Sequence, residues 1–339
     1  MINKTVIVDS DSFDPYMNLA VERRLFLTCP EDTVIMYLWQ NENTIVIGRN
    51  QNPYSECHVN NIEALGAHLA RRHTGGGAVF HDRGNLNFSF IYSDDNSKLI
   101  SPAELIRDCC RTFGIETEIS GRNDITSMSR KFSGNAFCRK GKMFLHHGTV
   151  MIDLEMSRLG DYLNVSREKL AGKGVSSVSK RVINLKEICP ELTVSDFRRA
   201  LFDIFEKKYP EITLRKEYES ICQEPETMAI RDSYASKEWL FGSVSDFNIN
   251  KKHRFPWGSC EIRLLVKDHR IESAEIFSDA MDPDLIADVS LSLKGRTFEY
   301  RSVSEALDTL KNSPQENNRF HVFSVNREEI LNDILELLK

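Results

Sequence analysis

The chain has 339 residues with an ordinary globular composition, 41% hydrophobic and 28% charged, which excludes low-complexity and fibrous proteins and, at this length, predicts two domains. No apolar run approaches the length of a membrane span, and the opening residues lack the apolar core of a signal peptide, so we expect a cytoplasmic protein without a membrane anchor. The net charge of −6 argues against general nucleic-acid binding, and eight cysteines without a CxxC spacing are typical of reduced thiols in the cytosol.

The first hundred residues predict helices alternating with short strands. Asp14 followed by Pro15 is typical of a helix start, and apolar residues then recur at helical spacing as far as Leu25. Two strands are expected at TVIMYLW and TIVIG, joined by the polar turn QNEN. A short helix is expected near 60–65. Further strands are expected on both sides of the glycines in RRHTGGGAVFHD and at LNFSFIY.

The rest of the chain predicts a long hairpin and then a second domain. The hairpin covers KFSGNAFCRKGKMFLHHGTVMI, and strand alternation sends His146 and His147 to opposite faces. Helices are expected from Pro102 to 113, near 157–163 and over 194–207. The periodicity weakens before residue 250, which predicts domains 1–246 and 251–339. The second domain is expected to end on a helix capped by Asn326.

Charge is distributed unevenly along the chain. Residues 121–187 contain 13 Lys or Arg against 6 Asp or Glu, a local charge of +7, whereas the remainder carries −13. Such a basic segment attracts anions such as nucleotide phosphates, an acidic partner or RNA, although a solvated lysine-rich face has the same composition.

The three consecutive glycines, Gly75, Gly76 and Gly77, allow two interpretations. Without Cβ atoms they can adopt positive φ, and their N–H groups can form an anion-binding nest. They can equally be a tight turn between strands. The stretch matches neither a Walker A loop nor a GxGxxG motif before a helix. Arg71 and Arg72 favour a ligand, because alternation along a strand points one of them to the ligand side.

Other candidate residues carry weaker signals when each is taken alone. Lys131 begins a strand of small residues and can neutralise a phosphate, but a surface lysine looks the same. Asp124, at the end of GRND, can be a Mg²⁺ ligand or an Asx-turn residue. The histidines His81, His146 and His147 lack a zinc-site spacing, so structural or ligand-contacting roles are favoured over a metal site.

Taken together and in order, these motifs resemble the bacterial type of lipoate–protein ligase. The resemblance is carried by NLAVE, IVIGRNQNPYSEC, RRHTGGGAVFHDRGN, GRNDI, RKFSGNAF, FLHHGT and LAGKGVSSVSKRVINL, and it continues past residue 250 at RFPWG. It covers most of the chain. One local departure is His73-Thr74, where the family often has smaller residues.

The resemblance implies a fold and a reaction. The fold is an α/β catalytic domain with a mixed sheet, related to class II aminoacyl-tRNA synthetases and biotin ligases, followed by a small α+β C-terminal domain. The reaction has two steps. Lipoate attacks ATP at the α-phosphate to give lipoyl-adenylate, and an acceptor lysine then takes the lipoyl group and releases AMP. The basic glycine-containing stretch AGKGVSSVSKR suits a loop that covers this hydrolysable intermediate.

Site residues follow from the same resemblance, matched position by position. Lys131 is expected to be catalytic. The residues expected at ATP or the adenylate are Arg72, Gly77, Ala78, Val79, Phe80, Asp124 and Lys131. Those expected at lipoate are Arg72, Gly75, Gly76, His81, Lys131, Gly134, His147 and Thr149. Asp124 is also the expected Mg²⁺ ligand.

The implied substrates are ATP with Mg²⁺ and lipoate. The implied acceptors are apo lipoyl domains of 2-oxoacid dehydrogenase E2 subunits and the glycine-cleavage H protein, and we expect a monomer. One alternative is an ATP-independent octanoyl or lipoyl transferase, which would need a cysteine nucleophile such as Cys57 or Cys138. Another is a non-catalytic lipoate-binding protein. RNA binding is disfavoured, because aromatic residues are not interleaved in the basic segment.

Overall fold

The computed structural model describes residues 2, 4–93, 100–120, 124–164, 181–209, 213–242, 246–311 and 326–339. Within these ranges no helix is both long enough and apolar enough to cross a membrane. The strands are β1 (Lys4–Asp9), β2 (Thr33–Trp39), β3 (Thr44–Ile47), β4 (His68–Arg71), β5 (Val79–His81), β6 (Asn85–Ser93), β7 (Glu118–Ser120), β8 (Asp124–Ser127), β9 (Arg130–Lys140), β10 (Met143–Met151), β11 (Thr213–Glu217), β12 (Ile249–Phe255), β13 (Gly258–Lys267) and β14 (Arg270–Ser278).

The helices connect and cover these strands. They are α1 (Pro15–Thr28), α2 (Pro53–Glu56), α3 (Val59–Ala64), α4 (Pro102–Thr112), α5 (Leu159–Tyr162), α6 (Val194–Lys208), α7 (Tyr218–Cys222), α8 (Pro225–Ala235), α9 (Lys237–Phe241), α10 (Pro283–Leu293), α11 (Tyr300–Lys311) and α12 (Arg327–Leu338). Two predicted helix starts, each with a side chain that caps the helix, are confirmed. Asp14 accepts from the amides of Tyr16 and Met17, and Asn326 accepts from that of Glu329.

An eight-stranded main sheet forms the centre of the molecule. Its order is β11-β1-β2-β6-β10-β9-β8-β7, with β11, β1 and β2 parallel and the remaining pairs antiparallel. The hairpin predicted around Gly141 is the β9–β10 pair, and Gly141 has φ +58° in its turn. A mixed sheet with helices is the α/β architecture predicted for the catalytic domain.

The two faces of the main sheet differ in chemistry. On β6, Leu86, Phe88 and Phe90 belong to a fully buried apolar cluster that also contains residues of α4 and α6. The residues between and beside them, such as Asn87 and Ser89, point to the other face, because side chains alternate along a strand. That second face is also buried, so its polar groups need partners within the protein.

A three-stranded small sheet, in the order β4-β3-β5, contributes to the covering of this polar face. The prediction of strands at TVIMYLW and TIVIG is confirmed, but the two strands belong to different sheets: β2 is in the main sheet and β3 in the small one. Residues 72–78, here called the glycine loop, connect β4 to β5. The glycine loop therefore faces the main sheet from a second layer.

The C-terminal part of the chain has its own sheet and core. Strands β12, β13 and β14 form an antiparallel sheet, and one apolar cluster joins it to α10, α11 and α12. It contacts the catalytic part at the β14–α10 corner, where the amide of Gly76 donates to the carbonyl of Ala280 (3.3 Å) and that of Ser278 donates to the carbonyl of Asn50 (2.9 Å). This corner thus rests against the glycine loop.

Candidate active site

A cavity of ≈ 240 Å³ lies between the main sheet and the glycine loop. Most of the residues predicted to bind ligands line it: Arg72, Gly76, Gly77, Ala78, Val79, His81, Lys131, Gly134, His147 and Thr149. The lining also contains residues that the sequence did not single out: Leu19, Trp39, Val46, Asn87, Asn135, Ala136 and Gly148. The fold therefore brings residues of NLAVE, RRHTGGGAVFHDRGN, RKFSGNAF and FLHHGT together in one cavity.

The sheet side of the cavity is a row of side chains that crosses neighbouring strands. Trp39 pairs with Asn87, and Asn87 pairs with Thr149 on the next strand. The Thr149 hydroxyl accepts from the amide of Gly134 (3.3 Å), and Gly134 pairs with Asp124. Directly paired residues of antiparallel strands share a face, so the row runs from the indole at one end to the carboxylate at the other.

Lys131 lies at the Asp124 end of this row. Its Nζ is 2.8 Å from Asp124 Oδ1, and both side chains are about one-third exposed, with values of 33% and 35%. A Cβ atom on Gly134 would lie 2.8 Å from Lys131 Nζ, so the glycine leaves room for the end of the lysine side chain in this position. The ammonium group is thus held at the mouth of the cavity with one carboxylate as its partner.

The backbone of Lys131 is also fixed. Its amide donates to the carbonyl of Arg181 (2.8 Å), and its carbonyl accepts from the amide of Ile183 (2.9 Å). These bonds form a short parallel bridge beside β9. Most of the AGKGVSSVSKR stretch, which was predicted to cover the intermediate, lies outside the described residues, and so do Gly121, Arg122 and Asn123 of the GRND motif.

Arg72 shapes the glycine loop. The side chain is buried, and its guanidinium donates to the carbonyls of Val46 (3.0 Å), Gly75 (2.7 Å) and Gly77 (2.8 Å) and to the hydroxyl of Thr74 (3.1 Å). Burial lowers the pKa of Arg72 to about 10, which leaves it charged at neutral pH. Arg72 lines the cavity as predicted, yet most of its donors organise the loop backbone. Its contact with a nucleotide stays a prediction.

Arg71 points away from the cavity, as strand alternation requires. It donates to the carbonyls of Gly48 (3.2 Å), Arg49 (2.8 Å) and Gln51 (2.7 Å), and to two carbonyls at the end of α9. Burial lowers its pKa to about 10. The adjacent arginines therefore bind two different stretches of backbone, and only Arg72 reaches the cavity side.

A buried relay of hydrogen-bonded polar side chains lies at the sheet side of the cavity. Glu22 Oε1 accepts from His147 Nδ1 (2.7 Å) and from the Ser89 hydroxyl (2.5 Å), and Ser89 accepts from the indole of Trp39 (3.0 Å). The other ring nitrogen of His147, Nε2, is hydrogen-bonded to the Thr74 hydroxyl (2.7 Å). The relay therefore links α1, the main sheet and the glycine loop.

His81 lines the cavity, and the orientation of its ring follows from its hydrogen bonds. Asn18 Nδ2 donates to Asn41 Oδ1 (3.1 Å), so the other end of the Asn41 amide is a donor, and it reaches His81 Nδ1 (3.2 Å). Nδ1 must then accept, which places the ring proton on Nε2. Burial, with the charge of Arg72 as a smaller contribution, lowers the pKa of His81 to about 3, so the ring is neutral. Nε2 is buried and has no hydrogen-bond partner among the described residues.

Three predicted residues do not line the cavity. Asp124 lies just outside it, against Lys131. The ring of Phe80 stacks on Tyr162 with 5.3 Å between centroids, so any contact with ATP would come from its backbone. Gly75 faces the C-terminal sheet domain, because a Cβ atom there would lie 2.1 Å from the carbonyl oxygen of Ala280.

The cavity and its surroundings offer little to a metal ion alone. No group of three or more histidine, cysteine or carboxylate side chains with metal-binding geometry occurs among the described residues. Asp124 supplies one carboxylate, already paired with Lys131. Mg²⁺ commonly takes one or two carboxylates together with phosphate oxygens, so this position fits the ion only as part of a nucleotide complex.

Sequence comparison relates the whole chain to proteins of one kind. Residues 14–206 match the model of the lipoyl protein ligase A/B catalytic domain, and residues 245–332 match that of the bacterial lipoate protein ligase C-terminus. The chain is 36% identical to lipoate-protein ligase A of Bdellovibrio bacteriovorus, over 94% of this chain and 95% of that protein. It is 34% identical to the Psychrobacter cryohalolentis protein of the same name, over 92% and 94%.

The chain belongs to the lipoate–protein ligase family. The resemblance seen in the sequence motifs is thereby confirmed, and the protein is a ligase.

Solved structures agree with this family membership. LipL1 of P. falciparum, crystallised in complex with lipoate, superposes with a TM-score of 0.82 at 29% identity, covering 98% of this chain and 99% of that one. A lipoate-protein ligase A bound with ATP superposes with a TM-score of 0.60 at 21% identity, over 72% of this chain and all of that one. The second likeness concerns the fold alone. The ligase family's α/β fold with a C-terminal sheet domain is therefore confirmed for this chain.

Proposed function

We propose that this protein is an ATP-dependent lipoate–protein ligase that forms lipoyl-adenylate and transfers the lipoyl group to a lysine of an apo lipoyl domain. The observation that carries the proposal is the position of Lys131. Its ammonium crosses Gly134 into the mouth of a cavity that is lined on its other side by the glycine loop. A lysine ammonium beside such a backbone loop can stabilise the negative charge that is brought together when a carboxylate attacks a phosphate.

In the first step, a carboxylate oxygen of lipoate attacks the α-phosphorus of ATP. A new P–O bond forms as the bond to pyrophosphate breaks. The negatively charged phosphate and carboxylate repel each other, and Lys131 can offset that repulsion by contacting both groups. Asp124, 2.8 Å from Lys131 Nζ, holds the ammonium in place and would supply a carboxylate to a Mg²⁺ that accompanies the nucleotide.

In the second step, the amine of an acceptor lysine attacks the acyl carbon. The C–O bond to AMP breaks, AMP leaves, and the amine loses one proton. Enclosure matters here, because water competes with the amine for the mixed anhydride. The cavity lining combines polar side chains with apolar ones such as Trp39, Val46 and Ala136, and the apolar ones can pack against the acyl chain.

The ATP-independent transferase is disfavoured by the state of the thiols. Burial raises the pKa of Cys57 to about 12 and that of Cys138 to about 11, and neither residue lines the cavity. The nucleophile in such a transferase is a thiolate, which these thiols do not form at neutral pH. A non-catalytic binder is disfavoured because it has no need for the Lys131–Asp124 arrangement.

Several finer points belong to the same proposal. The acceptors are the lipoyl domains of 2-oxoacid dehydrogenase E2 subunits and the glycine-cleavage H protein, and the basic segment 121–187 suits their acidic surfaces. The enzyme acts as a cytoplasmic monomer, and its domains are 1–246 and 251–339. ATP and lipoate contact the residues inferred from the family motifs, with Gly75, Phe80 and Asp124 outside the cavity proper.

Mass spectrometry of an apo lipoyl domain tests the proposal. Incubation with the protein, ATP, Mg²⁺ and lipoate should add one lipoyl group, and omission of ATP should abolish the addition. Lys131→Ala should lower the rate at least about 100-fold, because one preorganised charge at the reacting centre is lost. Lys142→Ala, which removes an exposed lysine from the turn of the same hairpin, should leave the rate unchanged.

Two results would count against the proposal. Addition without ATP would favour the transferase. A wild-type rate for Lys131→Ala would show that the lysine is not catalytic.

A further inference from the structure

Two residues of the cavity lining each carry a buried donor that no described residue satisfies. His81 Nε2 is one of them, and Asn87 Nδ2 is the other. The exposed fractions of these residues are 3% and 1%, and both line the cavity. The Asn87 carbonyl oxygen accepts from Asn85 Nδ2 (3.0 Å), so only its N–H group lacks a partner. Buried donors without partners are rare in native proteins, so this pair indicates a ligand.

Both donors lie at the same end of the cavity. Asn87 is the strand neighbour of Trp39, and the His81 ring packs edge-on against Trp39 with 6.2 Å between centroids. Lys131 and Asp124 mark the opposite end of the cross-strand row. Asn87 and Gly134 are separated by two strand spacings, which is about 10 Å. An extended eight-carbon acyl chain is of similar length.

The direction of the acyl chain follows from charge. Lys131 is the described cation at the mouth, so it takes the carboxylate and the phosphate, and the chain runs towards Trp39. This step rests on the proposed function. The far end of the acyl chain then meets His81 Nε2–H and Asn87 Nδ2–H. Neutral N–H donors at that place disfavour a terminal methyl group, which cannot accept a hydrogen bond, and they favour a polarisable acceptor such as a ring sulfur.

We propose that Asn87 and His81 are specificity-determining residues that select a dithiolane-terminated acid, lipoate, over the methyl-terminated octanoate. A methyl group that excludes water would leave both donors unsatisfied, whereas the sulfur atoms of the dithiolane accept weakly from them. The expected discrimination is roughly 10- to 100-fold, since the cost of one unsatisfied buried donor corresponds to a factor of this size.

Calorimetry with lipoate and octanoate, each added to the full-length protein, tests the inference without requiring turnover. The wild type should bind lipoate at least about tenfold more tightly. Asn87→Leu keeps the number and branching of the side-chain non-hydrogen atoms but has no donor, and it should reduce the ratio of the two affinities to about one or below it. Asn87→Val tests the same loss with a residue that suits a strand, in case the leucine does not fold.

Asn85→Leu is the matched control. This substitution also deletes the Asn85–Asn87 hydrogen bond, but residue 85 does not line the cavity and the Asn87 N–H group is kept. It should keep the wild-type preference. Equal affinity of the wild type for both acids, an unchanged ratio in Asn87→Leu and Asn87→Val, or an equal change in Asn85→Leu would each overturn the inference.

Transfer assays separate this inference from the proposed function. If both acids bind with the predicted ratio but neither is transferred to an apo lipoyl domain, the ligase proposal fails and the specificity inference stands. If the wild type transfers both acids with equal efficiency and binds them equally, the ligase proposal stands and the specificity inference fails.

Discussion

The two walls of the cavity are built in different ways. The sheet wall, formed by β2, β6, β9 and β10, has its backbone fixed by continuous strand pairing. The loop wall, which is the glycine loop, has little regular pairing, and it depends on the Arg72 guanidinium and on the corner at Ala280. A strand ladder tolerates the loss of one side chain, because its backbone bonds remain. The glycine loop tolerates the loss of Arg72 less well, because four of its contacts come from that one side chain.

The largest expected effect comes from removing Arg72. Arg72→Ala leaves the carbonyls of Val46, Gly75 and Gly77 without their donor in a buried place, so we expect a loss of about 3–5 kcal/mol in the free energy of unfolding. On the sheet wall, Thr149→Val deletes only the acceptor for the Gly134 amide and should cost about 1 kcal/mol. Urea unfolding of both variants measures the difference.

Similar losses in the two variants would show that the loop wall has other support. In that case the contrast between the two walls is wrong, and the Arg72 guanidinium is available to bind a ligand.

Acid should weaken each wall through one buried neutral histidine. Burial lowers the pKa of His81, on the loop side, and of His146, behind the sheet wall, to about 3. The unfolded chain has histidine pKa values near 6.5, so between pH 6.5 and 3 it binds protons that the folded protein does not. Stability therefore falls as the pH falls below about 6.5, by about 2 kcal/mol per histidine at pH 5.

Urea unfolding at pH 7, 6 and 5 measures this slope. His81→Gln and His146→Gln should each remove the dependence due to one proton, whatever their effect at pH 7. A variant with the full wild-type slope would mean that the histidine is protonated in the folded protein.

The most local expected effect concerns the contact between the loop wall and the C-terminal sheet domain. Gly75→Ala places a methyl group 2.1 Å from the Ala280 carbonyl, which forces the corner away at a cost of about 1–3 kcal/mol. Gly77→Ala is the control for stability, because a Cβ atom there meets nothing within 4 Å. Hydrogen exchange of the Gly76 amide, which bonds to Ala280, should accelerate in Gly75→Ala and stay unchanged in Gly77→Ala.

Unchanged exchange in Gly75→Ala would show that the corner adjusts without separating. The loop wall would then be independent of the C-terminal domain.

The sequence predicted those features that depend on neighbouring residues. The cap at Asp14, the β9–β10 hairpin and the opposite directions of His146 and His147 are local, because each is set by turn chemistry or strand alternation. The opposite orientations of Arg71 and Arg72 followed from the same rule. The motif order then identified the family and most of the cavity lining.

Features that depend on distant pairing could not be predicted. Nothing in TVIMYLW and TIVIG reveals that β2 and β3 join different sheets. Glu22 lies within the motif NLAVE, but only the fold places its carboxylate 2.7 Å from His147. The role of Gly75 depends on Ala280, more than two hundred residues later, so local sequence indicated a ligand-binding glycine instead of a domain contact.

The burial of the thiols has a consequence for a substrate that carries a disulfide ring. A cyclic disulfide is opened by thiolate attack, and the rate depends on how much thiolate is present and on access to the ring. None of the described residues that line the cavity is a cysteine, and burial holds the pKa of Cys138 at about 11. The enzyme can therefore hold a strained disulfide for the whole catalytic cycle without exchanging it with its own sulfur atoms.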